Sequence, residues 1–141
     1  MRTEHALDNR GTVVVEFALI GPCMCLLMLG ALEVGRYQIT MHSLRLIAAT
    51  AARIVSIAAA ADTTNTCAAV PSNTALKSST VAANPAPLIS GGSLSISSTC
   101  ASVDANGVTK VVVTASYPFT VVVPALGSGT MTLTAVAALT F

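Results

Sequence analysis

The chain has little charge, and the charge is unevenly distributed. Only 9% of its 141 residues are charged, and beyond Asp62 only Lys77, Asp104 and Lys110 carry a charge. Binding to a phosphate backbone needs clustered Lys and Arg side chains, and this sequence offers no such basic face. We therefore do not expect nucleic acid as a partner.

The sequence also lacks a set of residues that would suggest catalysis. Its two histidines, His5 and His42, are not part of a Cys, Asp or Glu pattern typical of an activated nucleophile. No CxxC or His spacing suggests a metal site, and Cys23 and Cys25 lie within an apolar run where cysteine packs as a small apolar side chain. We expect no enzymatic activity, no metal and no cofactor.

What the chain does have is a long apolar run near its N-terminus. Residues 12–32 contain a single charged side chain, Glu16. About 20 such residues in a helix cross a bilayer core of roughly 30 Å, so we predict one membrane span. A carboxylate at that depth is costly without a partner, which makes Glu16 the first candidate functional residue.

The helix is predicted to continue beyond the span, to about Ala61. Pro22, preceded by Gly21, should kink or loosen it, either as a tolerated proline or as a flexible point. Beyond the span, apolar residues recur every three or four positions and predict one packed face: Met41, Leu44, Ile47, Ala48, Ala51, Ile54, Val55 and Ala58. Glu33 is interpreted as the outer end of the span, and Arg36, Arg45 and Arg53 as a solvated face.

The remaining chain predicts a short helix and a small sheet. Residues 62–92 are rich in Thr, Ser, Asn and Pro, with a helix expected over Asn73–Ala83. Strands are expected from Ser93, over Val111–Tyr117 and from Thr130, with a separate edge strand over Phe119–Val123. Asn106-Gly107 is a hairpin-turn signal. The expected fold class is α+β: a long N-terminal helix packed on three or four antiparallel strands.

The N-terminal residues resemble a known family. Gly11 closes a polar leader, Glu16 follows five residues later, and Phe17 comes next. Together with a further set of matching positions, these features resemble the TadE-like family of pilin-related proteins of tight-adherence (Flp) pilus systems: Ala18, Leu19, Gly21, Pro22, Leu26, Leu27, Gly30, Glu33, Gly35 and Arg36. Many prepilins carry Phe directly after the cleaved bond, where this chain has Thr12.

The resemblance implies how the chain is processed and used. A prepilin peptidase would cleave after Gly11 and leave Thr12 as the new N-terminus. Glu16, then the fifth residue, would pair with the terminal amine of an adjacent subunit during assembly. The implied partners are prepilin peptidase, other pilin or pseudopilin subunits, an inner-membrane assembly platform and the lipid bilayer. The implied segments are a leader (1–11), a transmembrane part (12–35), an exported helical part (36–61), a connector (62–92) and a sheet (93–141).

The orientation bears on the remaining two cysteines. Arginines flank both ends of the span, so charge alone does not set the orientation, whereas the resemblance implies a periplasmic C-terminal part and a bacterial inner-membrane location. Cys67 and Cys100 lie in polar sequence, and an even pair in an exported domain is typical of a disulfide. Two free thiols in a cytosolic domain are the alternative.

The leading hypothesis is a minor pilin or pseudopilin that acts in pilus assembly or adhesion by helix packing. It either remains in the membrane or enters the extracellular fibre. The alternatives are a pseudopilin of a type II secretion or competence apparatus, and an uncleaved single-span envelope protein whose exported domain binds another molecule.

Overall fold

The computed structural model describes residues 10–60, 70–83, 86, 88–101, 110–123, 127 and 129–140. In chain order it contains a long helix α1 (Arg10–Ala60), a short helix α2 (Asn73–Ala83) and the strands β1 (Ser95–Ala101), β2 (Lys110–Thr120) and β3 (Thr130–Thr140). The predicted fold class is confirmed, because the long helix packs on a three-stranded antiparallel sheet.

Helix α1 is a single element of 51 residues. At 1.5 Å per residue it is about 75 Å long. Its second half is rich in alanine, the best helix former. Pro22 lies inside α1, and the helix continues on both sides of it. The predicted kink at Pro22 stays a prediction.

The sheet has the order β1-β2-β3, with both neighbouring pairs antiparallel. The register pairs Ile96 with Ala115 on one side of β2, and Ala115 with Ala135 on the other. Because side chains alternate across a strand, this register places one row of apolar side chains on the face that meets α1.

The core lies between that face and the second half of α1. Five residues of the predicted helical stripe are buried, Leu44, Ile47, Ala48, Ala51 and Val55, while Met41, Ile54 and Ala58 are half-buried. Facing them, the sheet contributes its own buried side chains: Ile96, Val111, Val113, Ala115, Phe119, Leu133 and Ala135. Ala52 and Ala59, outside the predicted stripe, are also buried.

Helix α2 has the predicted bounds and joins the core through Leu76 and Thr80, both fully buried. The Thr80 hydroxyl donates a hydrogen bond to the carbonyl of Leu76 at 2.6 Å, so its burial leaves no unsatisfied donor. Ser72 caps the helix by accepting a hydrogen bond from the Ala75 N–H at 3.4 Å. Asn73 accepts one from the backbone N–H of Ser98 at 3.0 Å and so connects α2 to β1.

The separate edge strand predicted for Phe119–Val123 is wrong. Strand β2 continues through Pro118 to Thr120, and residues 121–123 lie outside any strand. Pro118 pairs with Thr132 of β3, whereas pairing with β1 begins only at Ser116. The missing proline N–H is tolerated because, among the described strands, only β3 pairs with the chain at Pro118. The predicted turn at Asn106-Gly107 lies outside the described residues.

Candidate functional site

The first half of α1 presents apolar side chains on all sides. Phe17 and Leu19 are 77% and 78% exposed, and most of the other large apolar residues of this segment are more than half exposed. No part of its most apolar window is buried. Monomeric soluble proteins rarely expose a continuous apolar surface of this size, which requires lipid or protein around it. By length and composition α1 can cross a membrane.

The predicted cleavage and assembly residues lie at the start of this half. Gly11 and Thr12 are in the first turn of α1, so the bond between them is helical. Glu16 is exposed, and it has no ion pair with any side chain that the structure describes. It follows Thr12 by four residues, which places the two on one side of the helix a single turn apart.

Phe17 and Pro22 shape the helix surface just beyond Glu16. A side chain at Gly21 would lie 3.7 Å from the ring of Phe17, so the ring extends over this glycine. Pro22 has no N–H to donate to the carbonyl of Ala18, which removes one helical hydrogen bond. Phe17, Gly21 and Pro22 therefore lie together on a segment with reduced hydrogen bonding.

A second cluster, which we call the junction, lies where α1 meets the sheet. Glu33 is only 8% exposed. Its carboxylate accepts two hydrogen bonds from the Arg36 guanidinium, at 2.9 and 3.1 Å, and one from the backbone N–H of Val122 at 2.9 Å. The interpretation of Glu33 as a simple end of the span is incomplete, because its carboxylate connects the helix to the segment that follows β2.

Two aromatic rings complete the junction. The Arg36 guanidinium carbon lies 5.6 Å from the centroid of the Phe119 ring, a cation–π geometry. Tyr37 meets the same ring edge-on, with 5.9 Å between centroids and an interplanar angle of 87°. Beside these rings is an apolar cavity of about 290 Å³ whose lining includes Gly30, Val34 and Met131. Of the three arginines predicted to be solvated, Arg45 and Arg53 are exposed and Arg36 is not fully so.

The two clusters are separate. Glu16 and Glu33 lie on one helix, and seventeen residues of rise place them about 25 Å apart. The exposed Glu16 is near one end of the apolar half, and the paired Glu33 is at the other. A sequence signal for Glu33 was available, since a Glu and an Arg three residues apart on a helix can pair. Its contact with Val122 has no local signal.

The cysteines fall into two groups. Cys23 and Cys25 are free and exposed in the apolar half of α1. Cys100 is half-buried on β1 and packs against the core, while Cys67 lies outside the described residues. The Cys67–Cys100 disulfide stays a prediction. In the ranges that the structure covers, no three His, Cys, Asp or Glu side chains converge as metal ligands would.

Comparisons with known proteins identify the helical segment. Residues 11–53 match the model of a family described as TadE-like protein. The predicted resemblance is thereby confirmed over the part of the chain that holds Glu16 and Glu33. No curated protein and no solved structure shows significant similarity to the chain.

Proposed function

From the match of residues 11–53 to the TadE-like protein family, we propose that the chain is a minor pilin or pseudopilin of a tight-adherence pilus system. It is held in the bacterial inner membrane by the first half of α1, with its sheet in the periplasm. It functions by packing against other subunits and catalyses no reaction. Its partners are prepilin peptidase, neighbouring pilin-like subunits, the assembly platform and the bilayer.

The observation that carries this proposal is where the family match begins. It starts at Gly11, the residue after which a prepilin peptidase would cleave, and it continues through the exposed apolar half of α1. Cleavage there would remove the polar leader and leave the apolar helix as the new N-terminal segment. A helix that is apolar on every side can pack against several neighbours at once, as a subunit of a helical bundle must.

Glu16 gives that packing a specific contact. A lone carboxylate among apolar surfaces is unfavourable, and within the described residues Glu16 has no cationic partner of its own. A free terminal amine on Thr12, created by cleavage, supplies the missing positive charge within the chain or from an adjacent subunit. We propose that pairing of Glu16 with the amine of an adjacent subunit favours the assembled state, because this pair forms only when two subunits meet and it shields both charges from lipid.

The first experiment tests cleavage and the role of Glu16 separately. Mass spectrometry of the protein from its native host should find Thr12 as the mature N-terminus. Glu16→Ala should still be cleaved, since the leader and Gly11 are intact. It should be lost from assembled complexes, because the carboxylate that pairs with the amine is missing. Glu16→Asp keeps the charge and is the matched control, expected to assemble better than the alanine variant.

Two different results would contradict cleavage and the role of Glu16 separately. A mature chain that begins at Met1 would exclude processing as a prepilin. Normal cleavage with undiminished assembly of Glu16→Ala would leave the pilin class intact and remove the proposed role of the carboxylate.

One observation favours a second candidate, an uncleaved single-span envelope protein. The Gly11–Thr12 bond is helical, and a protease must unwind a helix to reach its backbone. The first turn of a helix has few hydrogen bonds to lose, so the barrier is small. The same mass spectrum decides between the two, because only the pilin class loses residues 1–11.

We also propose that Cys67 and Cys100 form a disulfide in the periplasm. The support is the position of Cys100 on β1, where it packs against the core of the exported domain. A bond closing a loop of this length contributes about 3–4 kcal/mol in the chain-entropy model. Peptide mapping without reductant should recover the linked pair, and full alkylation of both thiols in the intact protein would contradict it.

A further inference from the structure

We propose that the exported domain lies directly on the bilayer surface, with an apolar patch formed by Val34, Val122 and Met131 inserted at the boundary between headgroups and hydrocarbon. The domain is thus held against the membrane by its own surface as well as by α1. The inference deepens the proposed function, because it rests on α1 spanning the membrane.

The height of the patch follows from the rise of α1. If the span covers residues 12–32, it is about 32 Å long, which matches the hydrocarbon core. Glu33 then lies at the outer boundary, within about 1.5 Å of the last residue of the span. Because the Val122 N–H is 2.9 Å from the Glu33 carboxylate, the segment after β2 lies at this same level. It cannot be far out in the periplasm.

The side chains at that level are apolar and exposed. Val34 is 60% exposed, Val122 is 64% exposed and Met131 is 52% exposed. Val34 and Met131 line the same cavity, which also reaches Gly30, a residue inside the predicted span. The patch is therefore continuous with the lipid-facing surface of α1. Transfer of such side chains from water into an apolar phase is favourable, because it removes their surface from water.

The charge of the exported domain is compatible with a lipid surface. From Arg36 onwards the sequence has two acidic side chains, Asp62 and Asp104, and five basic ones: Arg36, Arg45, Arg53, Lys77 and Lys110. Anionic headgroups attract Lys and Arg side chains within about one Debye length, roughly 8–10 Å. Of the three arginines that follow Glu33 on α1 only Arg36 is that close, because Arg45 and Arg53 lie about 18 and 30 Å beyond Glu33 along the helix. Among the residues that the structure describes, the one carboxylate close to the patch is that of Glu33, and it is paired with Arg36. Nothing in the described part of the domain opposes approach to an anionic membrane.

The test uses the absence of tryptophan from the natural sequence. Three single-tryptophan variants of the full chain are reconstituted into phosphatidylcholine and phosphatidylglycerol vesicles that carry brominated acyl chains. Val122→Trp reports on the patch. Val136→Trp is the matched control, because Val136 is also a valine and is 63% exposed. It lies on the outer face of β3, roughly 17 Å along the strand from Met131. Leu26→Trp reports on the span.

The expected result is strong bromine quenching of Leu26→Trp and quenching of Val122→Trp that is several-fold stronger than that of Val136→Trp. Emission from Val122→Trp should also be shifted to shorter wavelength. If Leu26→Trp is quenched while Val122→Trp behaves like Val136→Trp, the surface contact is wrong and the membrane anchor stands. If Leu26→Trp is not quenched, the anchor of the proposed function fails, and the surface contact fails with it.

Discussion

The two halves of α1 have the same backbone and opposite surroundings. Before Glu33 nearly every apolar side chain is exposed, whereas after Thr40 one side of the helix carries the core through Leu44, Ile47 and Val55. In the first half the apolar residues surround the helix, and in the second half they are concentrated on the face toward the sheet. One continuous helix thus has a first half whose apolar surface requires lipid or protein around it and a second half that packs on the sheet.

The comparison shows that exposure alone does not tell what a residue does. Leu26 and Leu46 are 50% and 52% exposed, yet they lie in different halves. Around Leu26 the neighbouring apolar residues are exposed too, so the surface as a whole must be covered by lipid or by other subunits. Leu46 is flanked by exposed Arg45 on a surface that water can solvate.

The largest expected effect lies in the packed half. Leu44 is completely buried between α1 and the sheet. Leu44→Ala should lower the free energy of unfolding of the helix–sheet domain by about 2–5 kcal/mol, because it leaves a cavity that a rigid helix cannot close. Chemical denaturation of the full chain in detergent, followed by circular dichroism of the sheet, measures the change.

Leu46→Ala is the control for this prediction, since it makes the same deletion two residues along the same helix at a half-exposed position. Its effect should be within about 0.5 kcal/mol of wild type. Equal destabilisation by the two substitutions would show that the second half of α1 is packed on both sides.

The second prediction concerns the apolar half. Leu26→Asp should raise the free energy of membrane insertion by about 3 kcal/mol, because a charge at the centre of a spanning helix must leave water. Leu46→Asp places the same charge at a position of equal exposure beyond the span. Alkaline extraction of membranes should release much more of the Leu26→Asp variant, and equal retention of both would mean that the first half is not surrounded by lipid.

Local patterns predicted most of the fold. The period of three and four residues identified the buried helical face, and the strands expected from Ser93, over Val111–Tyr117 and from Thr130 are all present in the sheet. Such patterns succeed because one face of each element is buried. The end of β2 was missed because Pro118 normally interrupts a strand, and its tolerance depends on where β1 begins, a property of sheet register.

The candidate site was predicted less completely. The residues predicted for cleavage and assembly, Gly11, Glu16 and Phe17, follow from a short motif near the N-terminus, and the family match covers them. The junction was not predicted as a site. Glu33 and Val122 are 89 positions apart in sequence. No local pattern predicts a hydrogen bond between such distant residues. From the sequence, Glu33 could therefore be interpreted only as the end of the predicted span.

The third prediction tests whether the junction couples the two halves. Glu33→Ala removes the acceptor for Val122 and the partner of Arg36, and it should destabilise the helix–sheet domain by about 1–3 kcal/mol. Glu33→Gln keeps an oxygen acceptor but removes the charge, so its loss should be smaller. Hydrogen exchange of the Val122 amide should quicken most in the alanine variant, and unchanged exchange in both would show that this hydrogen bond does not hold the segment.

The smallest expected effect lies away from the apolar half of α1, where α2 contacts β1. The Asn73 side-chain oxygen accepts hydrogen bonds from the backbone N–H of Ser98 at 3.0 Å and from its hydroxyl at 3.2 Å. Asn73→Ala should cost about 1 kcal/mol, a typical value for one exposed hydrogen-bonded link. Asn73→Asp keeps the acceptor and should stay near wild type. The Asn73–Ser98 contact is remote from the apolar half of α1. Denaturation should therefore detect the lower stability of Asn73→Ala, while extraction of this variant from membranes should be unchanged. A change in extraction would mean that the two halves of α1 do not act independently.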